Sequence, residues 1–302
     1  MPDEALLDRL AGVFVPIVTN FDDVTGDVAP VRFRENLRRW VEQPIDGLVL
    51  FGSTGEGALL DDDEKATLMR FAREVVPAGM PLIAGAGAES TRATIRQIGT
   101  LAAAGADLVL VKPPWYFGSV LQPAALLDHF RAVADAAPIP VLVYHIPKYT
   151  KVTLEAGLVA ELMRHPNIAG LKDSSGDIKR LADYTSACPD GCRLFVGSGS
   201  LLYTALELGA AGGIVAVGNF AASLCAELVR AFRAGQTRRA GELQGPLAEL
   251  NREIVATWGP VGVKAALDLL GWAGGSPRPP LRPLGEKDRK HVARVMQGAG
   301  LL

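Results

Sequence analysis

The sequence predicts an α/β fold, a (β/α)8 or TIM barrel with a C-terminal helical extension, and three observations carry that prediction. From Gly12 onward, short apolar runs alternate with longer segments of helical period as far as Ala234, the pattern that repeated βα units produce. The runs are continuous in Val, Ile and Leu, as strands of a parallel sheet covered by helices must be. After Ala234, helical segments follow one another with no strand between them. Eight such units suggest a closed barrel, and a doubly wound open sheet is the competing arrangement.

Strands are expected over 13–19, 47–51, 81–86, 107–112, 139–144, 168–172, 193–196 and 213–217. Helices are expected over 30–42, 61–76, 90–104, 123–136, 153–165, 177–187, 200–208 and 221–234. Several carry a start signal: Asp61 is followed three residues later by Glu64, Pro123 suits a first helical turn, and Thr153 precedes an apolar periodic run. Helices over 237–258, 261–270 and 286–298 form the extension, and the Pro- and Gly-rich stretch from Gly274 to Pro283 reads as a rigid connector. The chain therefore divides into 1–234, a barrel carrying the site, and 235–302, helices packed on it.

At 302 residues and 49 % apolar side chains the chain can bury a substantial core. A net charge of −2, with cations scattered among anions, gives no basic stripe for nucleic acid or an anionic membrane. The expected partners are small molecules and copies of the same chain. No apolar segment approaches the roughly 20 residues that span a bilayer, and the start Met-Pro-Asp-Glu-Ala lacks a basic region followed by an apolar one. A cytoplasmic protein is expected. Cys188 and Cys192 flank Pro-Asp-Gly in an expected turn, without a second pair to complete a zinc site, and with Cys225 they read as reduced thiols.

In a barrel the loops after the strand C-termini share one face, where a site is built. Strand two runs into Gly52-Ser-Thr-Gly-Glu-Gly57, strand five ends at Tyr144, strand six at Lys172 and strand seven in Gly197-Ser-Gly199. Lys172 closes an apolar run from Ile168. An ammonium there is costly to desolvate, so the lysine is either ion-paired or tuned to be neutral and nucleophilic. A period of two puts Ile168, Gly170 and Lys172 on one face, with Gly170 removing bulk below the amine.

The turn from Gly52 to Gly57 lacks the Lys-Ser/Thr pair of a phosphate loop and the spacing of a dinucleotide fingerprint. Its backbone N–H groups and the Ser53 and Thr54 hydroxyls suit a smaller anion, a carboxylate; the alternative is a tight turn with capping hydroxyls. Lys112 also ends a strand, but it precedes Pro113 and is expected at the rim. His129, His145, His165 and His291 lack metal-ligand spacing, and His145 reads as structural. No nucleophile elbow supports Ser or Cys chemistry.

Taken together these stretches resemble the dihydrodipicolinate synthase and N-acetylneuraminate lyase family of pyruvate-dependent class I aldolases, over nearly the whole chain. The family's Gly-Thr/Ser-Thr-Gly-Glu loop corresponds to Gly52 to Glu56, its Tyr-x-x-Pro turn to Tyr144 to Pro147, its Gly-x-Lys segment to Gly170 to Lys172, and its aromatic pair to Trp115 and Tyr116. The resemblance implies a Schiff base between Lys172 and the ketone carbon of a 2-oxo acid, with no other cofactor and no metal. It makes Tyr144 the proton shuttle and Ser53 and Thr54 the carboxylate holders, linking Tyr144 to a Tyr116 supplied by a neighbouring subunit. Gly197 and the backbone near Val215 would line the pocket. A homotetramer built from dimers is implied.

One departure bears on the substrate. Lysine-biosynthetic members carry arginine two residues after the Tyr-x-x-Pro proline, where this chain has Tyr149, which supplies no bidentate cation. The segments from Ala84 to Thr91, Lys172 to Asp177 and Leu208 to Gly213 look more like the 4-hydroxy-2-oxoglutarate aldolase branch. The expected reaction is therefore retro-aldol cleavage of a 4-hydroxy-2-oxo acid to pyruvate and an aldehyde. The alternatives are condensation of pyruvate with aspartate semialdehyde, a 2-keto-3-deoxy sugar acid aldolase or dehydratase, and a non-catalytic 2-oxo acid-binding regulator.

Overall fold

The computed structural model describes residues 4–189 and 191–302. Eight parallel strands close into a barrel in sequence order: β1 (Gly12–Pro16), β2 (Gly47–Leu50), β3 (Leu82–Ala86), β4 (Leu108–Val111), β5 (Val141–His145), β6 (Ile168–Asp173), β7 (Arg193–Val196) and β8 (Gly212–Ile214), with β8 pairing back to β1. Nearly every strand residue is buried, which is why the runs read as unbroken Val, Ile and Leu.

Alternation along each strand separates two cores. Phe14, Val49, Ile83, Leu110, Leu142, Phe195 and Ile214 fill the barrel interior, where Phe14 and Phe195 meet edge to face at 5.2 Å. Val13, Val15, Leu48, Leu50, Leu82, Val109 and Val143 belong to the larger core shared with the surrounding helices.

Asp61 caps the helix Asp62–Val75 in a reciprocal capping box with Glu64, and Pro123 opens the helix Pro123–Ala136, both as expected. Thr153 does not cap: that helix starts at Ala156 behind Glu155 with no side-chain cap. The expected helix 237–258 is an α-helix, Thr237–Leu250, continued by a π-helix, Asn251–Ala256. Cys188, Cys192 and Cys225 are free. The turn expected between Cys188 and Cys192 includes residue 190, and the first three residues of the N-terminal stretch likewise lie outside the described residues. Among the described residues no helix is long and apolar enough to cross a membrane.

Strand β6 departs from a plain period of two. Val141 pairs with Ile168 but Leu142 pairs with Gly170, so Ala169 is the extra residue of a bulge. Ile168 consequently belongs to the outer core and Ala169 to the interior. The glycine at 170 is required by β7: a Cβ there would lie 2.0 Å from the Arg193 carbonyl oxygen. The space it provides is taken by a neighbouring backbone and not by the volume beneath Lys172.

Candidate active site

A cavity of about 240 Å³ opens at the C-terminal ends of the strands and is lined by Lys172, Tyr144, Ser53, Thr54, Tyr149 and Gly197, among others. Register explains the pairing at its centre. Lys172 of β6 lies directly opposite Tyr144 of β5, and the Lys172 Nζ sits 4.4 Å from the centre of the Tyr144 ring. Lys172 is only 4 % exposed. Among the described residues it has no ion-pair partner, because its neighbour Asp173 turns outward to His145. Burial pushes the Lys172 ammonium down to about 7, since an apolar site disfavours the charged form. The lysine is therefore unpaired rather than ion-paired, and its burial favours the uncharged amine.

Tyr144 is buried as well. Burial raises its phenol above the ordinary tyrosine value, while the Ser174 and Ser53 hydroxyls, hydrogen-bonded to it, oppose that rise. A phenol held between two hydroxyls and beside an amine is placed to pass protons along a short relay.

The Ser53–Thr54 turn is strained and tightly packed. Phe51 and Glu56 take left-handed φ values of 58° and 54°, uncommon for side chains of that size. A Cβ on Gly57 would fall 1.9 Å from the Phe51 carbonyl oxygen, so this position admits only glycine. The turn is held from outside by the Thr19 hydroxyl, which donates to the Gly55 carbonyl at 2.7 Å. It is also held by the Glu56 carboxylate, which pairs with Lys264 at 2.6 Å and accepts from the Arg278 backbone N–H at 2.8 Å. The backbone N–H groups of Thr54 and Gly55 have no partner among the described residues, leaving donors free for an anion.

Tyr149 stands on the one-turn helix Pro147–Thr150, lines the same cavity and is half exposed. Its hydroxyl reaches Gly259, whose Cβ position would be 3.3 Å away. The adjacent Lys148 Nζ donates to the Ala256 carbonyl at 3.0 Å. The Val215 side chain is buried in the outer core, while the residues on either side of it, Ile214 and Ala216, line the cavity, because one step along a strand reverses the face. Tyr116 is 76 % exposed and packed edge to face on Phe117, so within one chain it does not reach Ser53.

Lys112 is partly buried rather than at the rim. It lines two neighbouring cavities but not that of Lys172. His145 is structural as expected: fully buried, its Nδ1 lies 2.7 Å from the Asp173 carboxylate and 3.2 Å from the Tyr184 hydroxyl. Sequence reading missed Ser174, which shares the inward face with Lys172 two residues earlier, and that spacing was the available signal. It also missed Asn251, Val255 and Ala256 of the π-helix, which close the cavity from the C-terminal extension. Asn251 accepts from the Gly199 N–H and donates to the Ser198 and Ser200 hydroxyls.

A parallel barrel with a buried, unpaired amine beside a phenol at its C-terminal face has the makings of a site for carbonyl chemistry. Comparison with known proteins makes this specific. The family model described as the dihydrodipicolinate synthetase family matches residues 9–299. The chain is 34 % identical over 291 residues to 4-hydroxy-tetrahydrodipicolinate synthase of Syntrophus aciditrophicus, covering 96 % of this chain and 99 % of that one. Among solved structures, dihydrodipicolinate synthase of Acinetobacter baumannii complexed with pyruvate superposes with a TM-score of 0.92 at 29 % identity, covering 97 % of this chain and 100 % of that one. YagE of E. coli, a family member in complex with pyruvate, superposes with a TM-score of 0.91 at 27 % identity over 97 % of this chain and 99 % of that one. The chain belongs to the dihydrodipicolinate synthetase family. Members of this family are pyruvate-dependent lyases and synthases that work through a covalent Schiff base on a lysine, without a metal or other cofactor.

Proposed function

We propose that Lys172 is the Schiff-base lysine and that the enzyme joins or splits a carbon–carbon bond between pyruvate and an aldehyde. The observation that carries this is the buried, unpaired Lys172 amine opposite Tyr144 in the cavity at the strand ends. The amine attacks the ketone carbon of pyruvate, and the resulting carbinolamine loses water to give an iminium. Tyr144 delivers and removes the protons, with Ser53 and Ser174 as its hydrogen-bond partners. The pyruvate carboxylate rests on the free Thr54 and Gly55 N–H groups and the Ser53 and Thr54 hydroxyls. Loss of a C3 proton gives an enamine, which adds to the aldehyde carbon; hydrolysis frees the amine. Read backwards, the same steps cleave a 4-hydroxy-2-oxo acid. Gly197 shapes the cavity wall: a Cβ there would lie 1.8 Å from the Ser174 hydroxyl. Tyr116 completes the relay from a second subunit of a homotetramer.

For the aldehyde, the names of the curated relatives favour condensation with aspartate semialdehyde, as in 4-hydroxy-tetrahydrodipicolinate synthase. Tyr149 favours the second reading, cleavage of a 4-hydroxy-2-oxo acid such as 4-hydroxy-2-oxoglutarate, because no guanidinium stands there to hold the semialdehyde's carboxylate. Borohydride reduction with pyruvate, followed by peptide mapping, tests the mechanism: an adduct on Lys172 is expected, and none, or one on Lys112, overturns it. Turnover of pyruvate plus aspartate semialdehyde against 4-hydroxy-2-oxoglutarate decides between the aldehydes.

A further inference from the structure

A second cavity, of about 140 Å³, shares Ser53 and Tyr144 with the Lys172 cavity but does not include Lys172. Two ammonium groups line it. Lys65 comes from the helix Asp62–Val75 and Lys112 directly follows β4.

Neither cation is neutralised by a direct partner. Lys65 is 8 % exposed, and among the described residues its ammonium has no hydrogen-bond or ion-pair partner. The acids nearest to it are engaged elsewhere. Asp61 and Glu64 serve the capping box, Glu64 also binds Arg278, and Asp62 accepts from Gln97 at 2.6 Å. The Lys112 Nζ donates to the Gly87 carbonyl at 2.6 Å and lies 3.8 Å from the centre of the Trp115 ring. An ammonium has three donors, so two remain. Glu89 attracts Lys112, but its carboxylate is bound to the Trp115 and Tyr116 N–H groups at 3.0 and 2.8 Å. Burial, with the Lys65 charge adding to it, lowers the Lys112 ammonium to about 8.

Like charges around one enclosed space repel, and an anion between them removes both the repulsion and the unmet donors. We propose that this cavity binds a small dianion, with two negatively charged oxygen sites held between Lys65 and Lys112 and Trp115 covering the entrance. The volume equals that of about four or five waters, which suits inorganic phosphate or a three-carbon dicarboxylate.

The test is titration of the full chain with sodium phosphate, and separately with malonate, at ionic strength held constant with sodium chloride. Binding is read by calorimetry and by tryptophan fluorescence, so it is independent of whether the Schiff-base reading succeeds. Saturable binding is expected, weakened about tenfold or more in Lys65→Gln and in Lys112→Gln and largely kept in Lys65→Arg. Trp115→Phe should lose the fluorescence change and keep the heat. Lys172→Met should bind as the parent does. Saturation by one anion only supports the proposal and identifies whether an inorganic or a carboxylate source fits. No saturable heat with either anion would overturn it. So would unchanged affinity in both glutamine variants, or loss confined to Lys172→Met, which would place the anion in the reaction cavity.

Discussion

The Glu56 carboxylate lies 2.6 Å from the Lys264 ammonium, and both side chains are essentially removed from solvent. Lys264 belongs to the helix Pro260–Leu269, so the extension grips the turn that carries Ser53 and Thr54. Removing one member of a buried pair strands the other charge, at a cost of about 3 to 5 kcal/mol. Glu56→Gln and Lys264→Met should each lower stability by that order in urea denaturation. The pyruvate KM should rise in each, because the turn loses its outer support. The double variant Glu56→Gln with Lys264→Met should be less destabilised than the sum of the two.

Lys172 makes both rate and stability depend on pH. Its folded value of about 7 lies below the ordinary 10.5, so between these limits the unfolded chain holds the proton and the folded chain does not. Stability therefore rises with pH across that window, and the deficit is fully present below about pH 7. Lys172→Met should stabilise the protein near neutrality by at most roughly 3 to 5 kcal/mol, the free-energy equivalent of the shift. The gain should fade as pH approaches 10.5, as thermal melts across pH would show. Imine formation needs the neutral amine, so the pyruvate adduct should form about tenfold more slowly per pH unit below 7.

Gly170 is a packing requirement, since a Cβ would press on the Arg193 backbone. Gly170→Ala should cost about 1 to 3 kcal/mol or more. If the remaining folded enzyme keeps its pyruvate KM, the effect lies in the β6–β7 contact and not in the cavity.

Tyr149 is the position through which the aldehyde is selected in the proposed reaction. Tyr149→Arg should raise kcat/KM for aspartate semialdehyde by about tenfold or more, the scale of one charge-assisted contact, while leaving pyruvate capture at Lys172 intact. A fall for both aldehydes would show that the Gly259 contact matters more than the charge.

The repeated barrel was legible because each βα unit announces itself twice, by a buried run and by a helical period. Lys172 was legible because it is a charge at the end of such a run. The bulge at Ala169 was not, since an Ala-Gly step in an apolar strand carries no mark distinguishing it from regular pleat. At Val215 the sequence could place the chain beside the pocket but not the side chain, which points to the outer core while Ile214 and Ala216 face the cavity. Asn251 escaped notice because only the folded chain brings it to Gly199, and its local sequence is that of an ordinary helix.

The π-helix at Asn251–Ala256 supplies one wall of the cavity from beyond the eight strands. The amine, phenol and hydroxyl turn ride on the barrel, whereas this wall rides on a separate layer clamped against it. Val255 contributes to this wall only by lining the cavity, so changing it reshapes the mouth while Asn251 keeps the strand-seven loop in place, making the extension a jaw facing a fixed anvil.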